Sequence, residues 1–145
     1  KICCIFFKDM IWFQMKCLGS DIIKIKVKGY LKNNTENQLL DFDVYGIKSG
    51  DKIIYSDNGV KNTLNLKNNQ IILKRESDDF LNTFIFDKKK SRSNYLLKEV
   101  NSDVDIEIIT LDIDVNEDNV YIRYKVLDTD CDYEYKIEMR EVLWV

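Results

Sequence analysis

Proline and histidine are absent from the 145 residues, and glycine occurs only five times. Turns therefore fall largely to Asn, Asp and Ser, whose short side chains bond back to their own backbone; Asn and Asp also tolerate the left-handed conformation. The lack of histidine removes the side chain that titrates nearest neutral pH. It also removes Ser–His and Cys–His nucleophile pairs and the commonest zinc and haem ligand. Carboxylates, Lys and Tyr are left as acid–base groups, and the chain reads as a non-enzyme. Cysteine is sparse as well: Cys3, Cys4, Cys17 and Cys131 fit neither a metal-ligand spacing nor a disulfide framework. They read as reduced thiols in a cytoplasmic protein. No cofactor motif is present.

What is there is a soluble, globular composition of 45% hydrophobic and 32% charged residues, with a net charge of −3. The length suits one domain with a core that needs no staple. Residues 1–20 stand apart from the barrel-like remainder, 21–145. The run "KICCIFFKDMIWFQMKCL" is apolar and aromatic but is broken by Lys8-Asp9. It is shorter than the roughly 20 apolar residues of a membrane span, and it lacks the unbroken centre and small-residue cleavage site of a secretory signal. Two readings stand. It is a segment that packs over an apolar edge, or it precedes a natural start at Met10 or Met15; the second is preferred. Mass spectrometry of the native protein distinguishes them.

From Asp21 onward the apolar period is two. Ile23, Ile25 and Val27 alternate with Lys24, Lys26 and Lys28, a half-buried strand with a solvated basic face. "KNNTEN", Ser49-Gly50-Asp51, Asn58-Gly59, Asn68-Asn69, "DKKKSRS", "NEDN" and "DTD" mark turns. About ten short strands with hairpin connections predict an all-β barrel or sandwich. Lys88-Lys89-Lys90 and Arg92 form a second basic patch, but aromatic platforms between the basic residues are few. The acidic stretches Asp103–Glu107 and Asp112–Asp118 oppose a nucleic-acid partner.

Two-residue turns at Asn58-Gly59 and Asn68-Asn69 fix a register. Asp57 then opposes Val60, Tyr55 opposes Asn62 and Ile53 opposes Leu64. Leu66 meets Ile71, Leu64 meets Leu73, Asn62 meets Arg75 and Lys61 meets Glu76. Tyr55, Asn62 and Arg75 fall side by side on the core-facing side, near one end of their strands. A buried guanidinium needs partners, so the trio is either a satisfied structural network or an anion anchor at an apolar cavity. A loop over Asp128–Cys131 pairs Val126 with Tyr133, Tyr124 with Tyr135 and Ile122 with Ile137. On the outside it pairs Lys125 with Glu134 and Tyr121 with Glu138. Tyr124, Tyr133 and Tyr135 are expected to fill the barrel. Between Ile108 and Ile109 the alternation changes phase, which predicts a bulge, a bend or a strand buried on both faces.

The run "IIYSDNGVKNTLNLKNNQIILKRES", followed by "FIFDKKKSRSNY" and "IEIITLDIDV", resembles the YwiB-like family of small bacterial proteins. The resemblance spans roughly Ile22 to Val142 and rests on Tyr55, Gly59, Val60, Thr63, Leu64, Arg75, Phe84 and Tyr95. After Tyr95 the family's Pro-Tyr-Gly-like turn is replaced by "LLKEVNSD". The resemblance implies a single antiparallel up-and-down barrel of about 8–10 strands, lipocalin-like (calycin) in fold. The family has no assigned activity, so the resemblance implies a shape and not a function. The expected partner is a small apolar or amphipathic molecule with an anionic end near Arg75, with no nucleic acid and no membrane span. The alternative is an interaction module, a homodimer included, that uses edge strands or the N-terminal segment.

Overall fold

The computed structural model describes residues 22–67 and 69–143. The N-terminal extension and Asn68 of the second expected turn lie outside the described residues. Ten strands follow in chain order: β1 (Ile23–Asn33), β2 (Gln38–Ser49), β3 (Lys52–Asp57), β4 (Val60–Lys67), β5 (Gln70–Glu76), β6 (Phe80–Asp87), β7 (Ser91–Leu97), β8 (Ser102–Val115), β9 (Asn119–Val126) and β10 (Cys131–Glu141). Each pairs antiparallel with its chain neighbour, and β1 closes on β10 to form a barrel. Closure leaves no free sheet edge among the described strands, so an interaction through edge strands has no edge to use. Gly29 sits at the closing seam, where a Cβ would collide with the Lys136 carbonyl and Ile137. The close backbone approach of β1 to β10 requires glycine there.

The turns use the residues that the composition leaves available. Asn58 and Gly59 take φ of 51° and 79°, the pair of positive values that a type I′ hairpin demands. Asn37, Asn69, Asn101 and Asp130 are left-handed too, and with Asn58 they outnumber the two left-handed glycines. The register through this region is the expected one. Tyr55 faces Asn62, Asn62 faces Arg75, and Leu64 lies between Ile53 and Leu73. Lys61 does oppose Glu76, but Glu76 forms its ion pair with Lys98, at 2.7 Å.

Two expectations are corrected. The β9–β10 loop is Leu127–Asp130, one residue earlier than expected, so the register moves by two: Tyr124 faces Tyr133, Ile122 faces Tyr135 and Val126 faces Cys131. The outer pairs become Arg123 with Glu134 and Lys125 with Asp132, and Tyr121 faces Lys136. A two-residue slip keeps every side chain on its face, so alternation alone cannot exclude it. Local chemistry decides. Asp130 takes the left-handed position at φ 59°; Lys125 pairs with it at 2.8 Å, and Arg123 forks onto Asp132 at 3.1 and 2.6 Å. The second correction concerns β8, where the irregularity falls between Thr110 and Asp112 rather than between Ile108 and Ile109. Ile113 therefore returns to the inner face with Ile106 and Ile108, while Ile109 and Leu111 are exposed outside.

The core runs through the barrel. Phe86, Ile53, Leu64, Ile122 and Ile137 have no exposed surface. Lys26 and Lys24 lie over the Tyr45 ring on the outside, and Lys26 also pairs with Asp43 at 3.3 Å. The alternating lysines of β1 thus belong to a solvated outer wall. Among the described residues no helix is long and apolar enough to cross a membrane.

Candidate functional site

One end of the barrel carries the hairpins at Gly50-Asp51, Asn69, Lys88–Lys90 and Asn116–Asp118. The other carries the hairpins at Asn58-Gly59, Ser77–Asp79, Lys98–Asn101 and Leu127–Asp130, and the β1–β2 loop. The expected trio lies at this second end. Cross-strand pairing places Gly46, Tyr55, Asn62, Arg75, Asn82, Tyr95 and Val104 in one continuous inward-facing row over β2 to β8. A Cβ at Gly46 would stand 2.6 Å from the Ile54 carbonyl oxygen and 3.0 Å from the Tyr55 Cβ, so the close approach of β2 to β3 requires glycine there. Tyr55 in turn stacks on Phe42, with ring centroids 5.2 Å apart.

Arg75 donates from Nε to Asn62 Oδ1 at 3.1 Å. The Asn62 amide nitrogen donates to the Val60 carbonyl at 3.2 Å, which fixes its orientation. Tyr55 does not reach the arginine by a hydrogen bond. Its hydroxyl meets that of Tyr135 across the barrel at 2.6 Å. The structure therefore joins Asn62 and Arg75 directly and brings Tyr55 to the same place through a partner 80 residues away.

These groups surround a cavity of about 20 Å³, lined also by Leu31, Leu40, Phe42, Asp57 and Tyr124. That is room for a single water-sized group. The donor count around it is uneven. The four terminal N–H groups of Arg75 have no hydrogen-bond acceptor among the described residues, and no carboxylate oxygen there lies within 4.0 Å of its guanidinium. Of the two hydroxyl hydrogens of Tyr55 and Tyr135, one is used between them and one is left over. The Tyr124 hydroxyl has no hydrogen-bond partner among the described residues; the residue is buried, but its oxygen is not sealed from solvent and the side chain lines the cavity.

Burial pushes the phenols of Tyr55, Tyr124 and Tyr135 well above the ordinary tyrosine value, and nearby Arg75 offsets only part of the rise. All three stay neutral, with hydrogens to donate. Among the described residues Asp57 is the one carboxylate that lines the cavity, and its charge opposes that of Arg75. Among the described residues no group of three or more Cys, Asp or Glu side chains could hold a metal ion.

Tyr124 and Tyr135 are the site residues that sequence reasoning assigned to filling. Their partners are set by barrel closure and by pairs far apart in the chain. The only local signal was their inward parity, which they share with every core residue of β9 and β10.

The fold is similar to the ywiB protein from Bacillus subtilis as seen in its crystal structure, with a TM-score of 0.64 and 12% sequence identity, covering 88% of this chain and 99% of that one. No protein-family model matches the chain, and no curated protein does. At that identity the likeness shows the fold and leaves the roles of residues to the geometry above. In fold, the chain is a ten-stranded up-and-down barrel of the YwiB type.

Proposed function

We propose that the protein is a non-enzymatic, cytoplasmic binding protein that holds a small amphipathic anion at the Arg75 end of the barrel. One observation carries this reading: unused hydrogen-bond donors from Arg75, Tyr124 and the Tyr55–Tyr135 pair converge on one cavity. No fully buried side-chain donor is left without a partner among the described residues, so these donors reach solvent at the cavity, where an oxyanion satisfies several of them at once. A water molecule in the cavity is the resting alternative, since it fits the volume. The small volume of this cavity limits the ligand's entry to its head group. A lipocalin-like barrel that swallows its ligand whole is an analogy of fold alone, and about 20 Å³ gives it no support.

Calorimetric titration with butanoate tests the reading. A saturable heat that Arg75→Met abolishes supports the anchor. Wild-type protein that binds butanoate no better than the variant removes it.

A further inference from the structure

The row that holds Arg75 runs on through Asn82, which accepts a hydrogen bond from Ser93 at 3.2 Å, to an apolar wall outside the cavity lining. Val104 and Tyr95 face each other across β8 and β7, Phe80 faces Leu97 across β6 and β7, and all four share the inward face with Arg75. Inward-facing residues of a closed barrel are ordinarily buried, yet Val104 is 57% exposed and Leu97 47% exposed. The ends of β7 and β8 therefore extend the inner face beyond the closed part of the barrel. Phe80 and Tyr95 stack there at 5.5 Å with rings 13° from parallel, a flat and rigid surface.

We infer that this wall receives the tail of the ligand: a single-chain, singly charged carboxylate with its head on Arg75 and its alkyl chain along Phe80, Tyr95, Leu97 and Val104. The inference rests on the anchor reading and adds chain type, charge and path.

Three observations favour this occupant. Arg75 and Val104 are three strand spacings apart in one row, about 14 Å, and an extended ten-carbon chain spans about 12 Å. Among the described residues one cation faces the cavity, and Asp57 lines it too, so a second negative charge on the head would be left uncompensated. The rim outside this wall is acidic on balance: Asn94 donates to Asp103 and Asp105 at 2.7 and 2.8 Å, Asp78 and Asp79 occupy the adjoining turn, and Lys98 there is paired with Glu76. A polyanion or an anionic membrane surface would be repelled there.

The test is a chain-length series by calorimetry on the whole protein, using butanoate, decanoate and decanol. Covering one side of a chain contributes roughly half the value of full burial, so six added methylenes should tighten binding on the order of 50-fold. Leu97→Asn with Val104→Asn should cut the decanoate-to-butanoate ratio by about tenfold, and both positions are exposed enough to leave the fold intact. Butanoate that binds in an Arg75-dependent way, with decanoate no tighter, overturns the tail inference and leaves the anchor. A ratio that survives the double variant but falls in Leu40→Asn puts the tail on the opposite lip and also overturns it. Neither acid binding, or decanol binding as tightly as decanoate, overturns the anchor and the inference together.

Discussion

The two ends of the barrel differ in opposite senses. At the Lys48 end the hairpins surround an open bowl of about 680 Å³, floored by Leu66, Ile71, Ile113 and Val115. Its cations Lys48, Lys67, Lys88 and Lys89 stand among Asp51, Asp87 and Glu117, and Lys48 reaches across to donate to the Glu117 carbonyl at 3.3 Å. The charges nearly cancel and are bathed by water. At the Arg75 end the cavity is about 20 Å³, and donors of Arg75, Tyr124 and the Tyr55–Tyr135 pair converge on it without protein partners among the described residues. Room alone does not make a specific site, because water already serves every polar group of an open bowl. Donors from one guanidinium and three phenols that converge on one small cavity are what a single oxyanion can satisfy together.

The largest effect should come from the apolar plug that separates the two ends. Phe86→Ala should lower unfolding stability in urea by about 3–5 kcal/mol, since Phe86 is fully buried against Phe84 and Tyr124. A loss under about 1 kcal/mol would mean a loose plug and connected ends. At the Arg75 end, Tyr135→Phe should cost about 1–3 kcal/mol by leaving the buried Tyr55 hydroxyl without its partner. Adding Tyr55→Phe should recover part of that, and a double-mutant cycle measures the coupling.

A smaller effect is expected at Asp132 on the wall outside this end. The Arg123 hydrogen bonds, with help from Asn34, hold its carboxyl below the ordinary 3.8. That stability is present above 3.8 and is lost as pH falls through the lower folded value. Asp132→Asn should therefore melt lower than wild type at pH 7, with the gap closing as the solution is acidified below 3.8. A gap that is constant with pH would assign the effect to packing. At the Lys48 end, Lys48→Met should shift stability by no more than about 0.5 kcal/mol, because its single exposed hydrogen bond is exchanged for water. A larger loss by thermal melting would make that lysine a structural latch and weaken the contrast between the ends.

Much of the Arg75 end was legible before any coordinates. Asn58-Gly59 admits one tight hairpin, and counting outward from it places Tyr55, Asn62 and Arg75 in a line. The β9–β10 hairpin was less legible because its loop, rich in Asp and Thr, fits two positions that differ by an even slip. Both bury the same tyrosines, and ion pairs with Asp130 and Asp132 choose between them. The bulge in β8 was placed early for a related reason: Ile109 and Leu111 are apolar but face water, which alternation reads as a change of face.

The amino-acid order by itself determined the strands, their faces and the local register around tight turns, since these depend on a period of two and on backbone angles that few residues tolerate. Only the closed structure decided which inward side chains meet across the barrel. The bond between Tyr55 and Tyr135, the lone hydroxyl of Tyr124 and the exposed ends of β7 and β8 all depend on how ten strands curve round to β1, and contacts between distant strands leave no mark on either strand's own pattern.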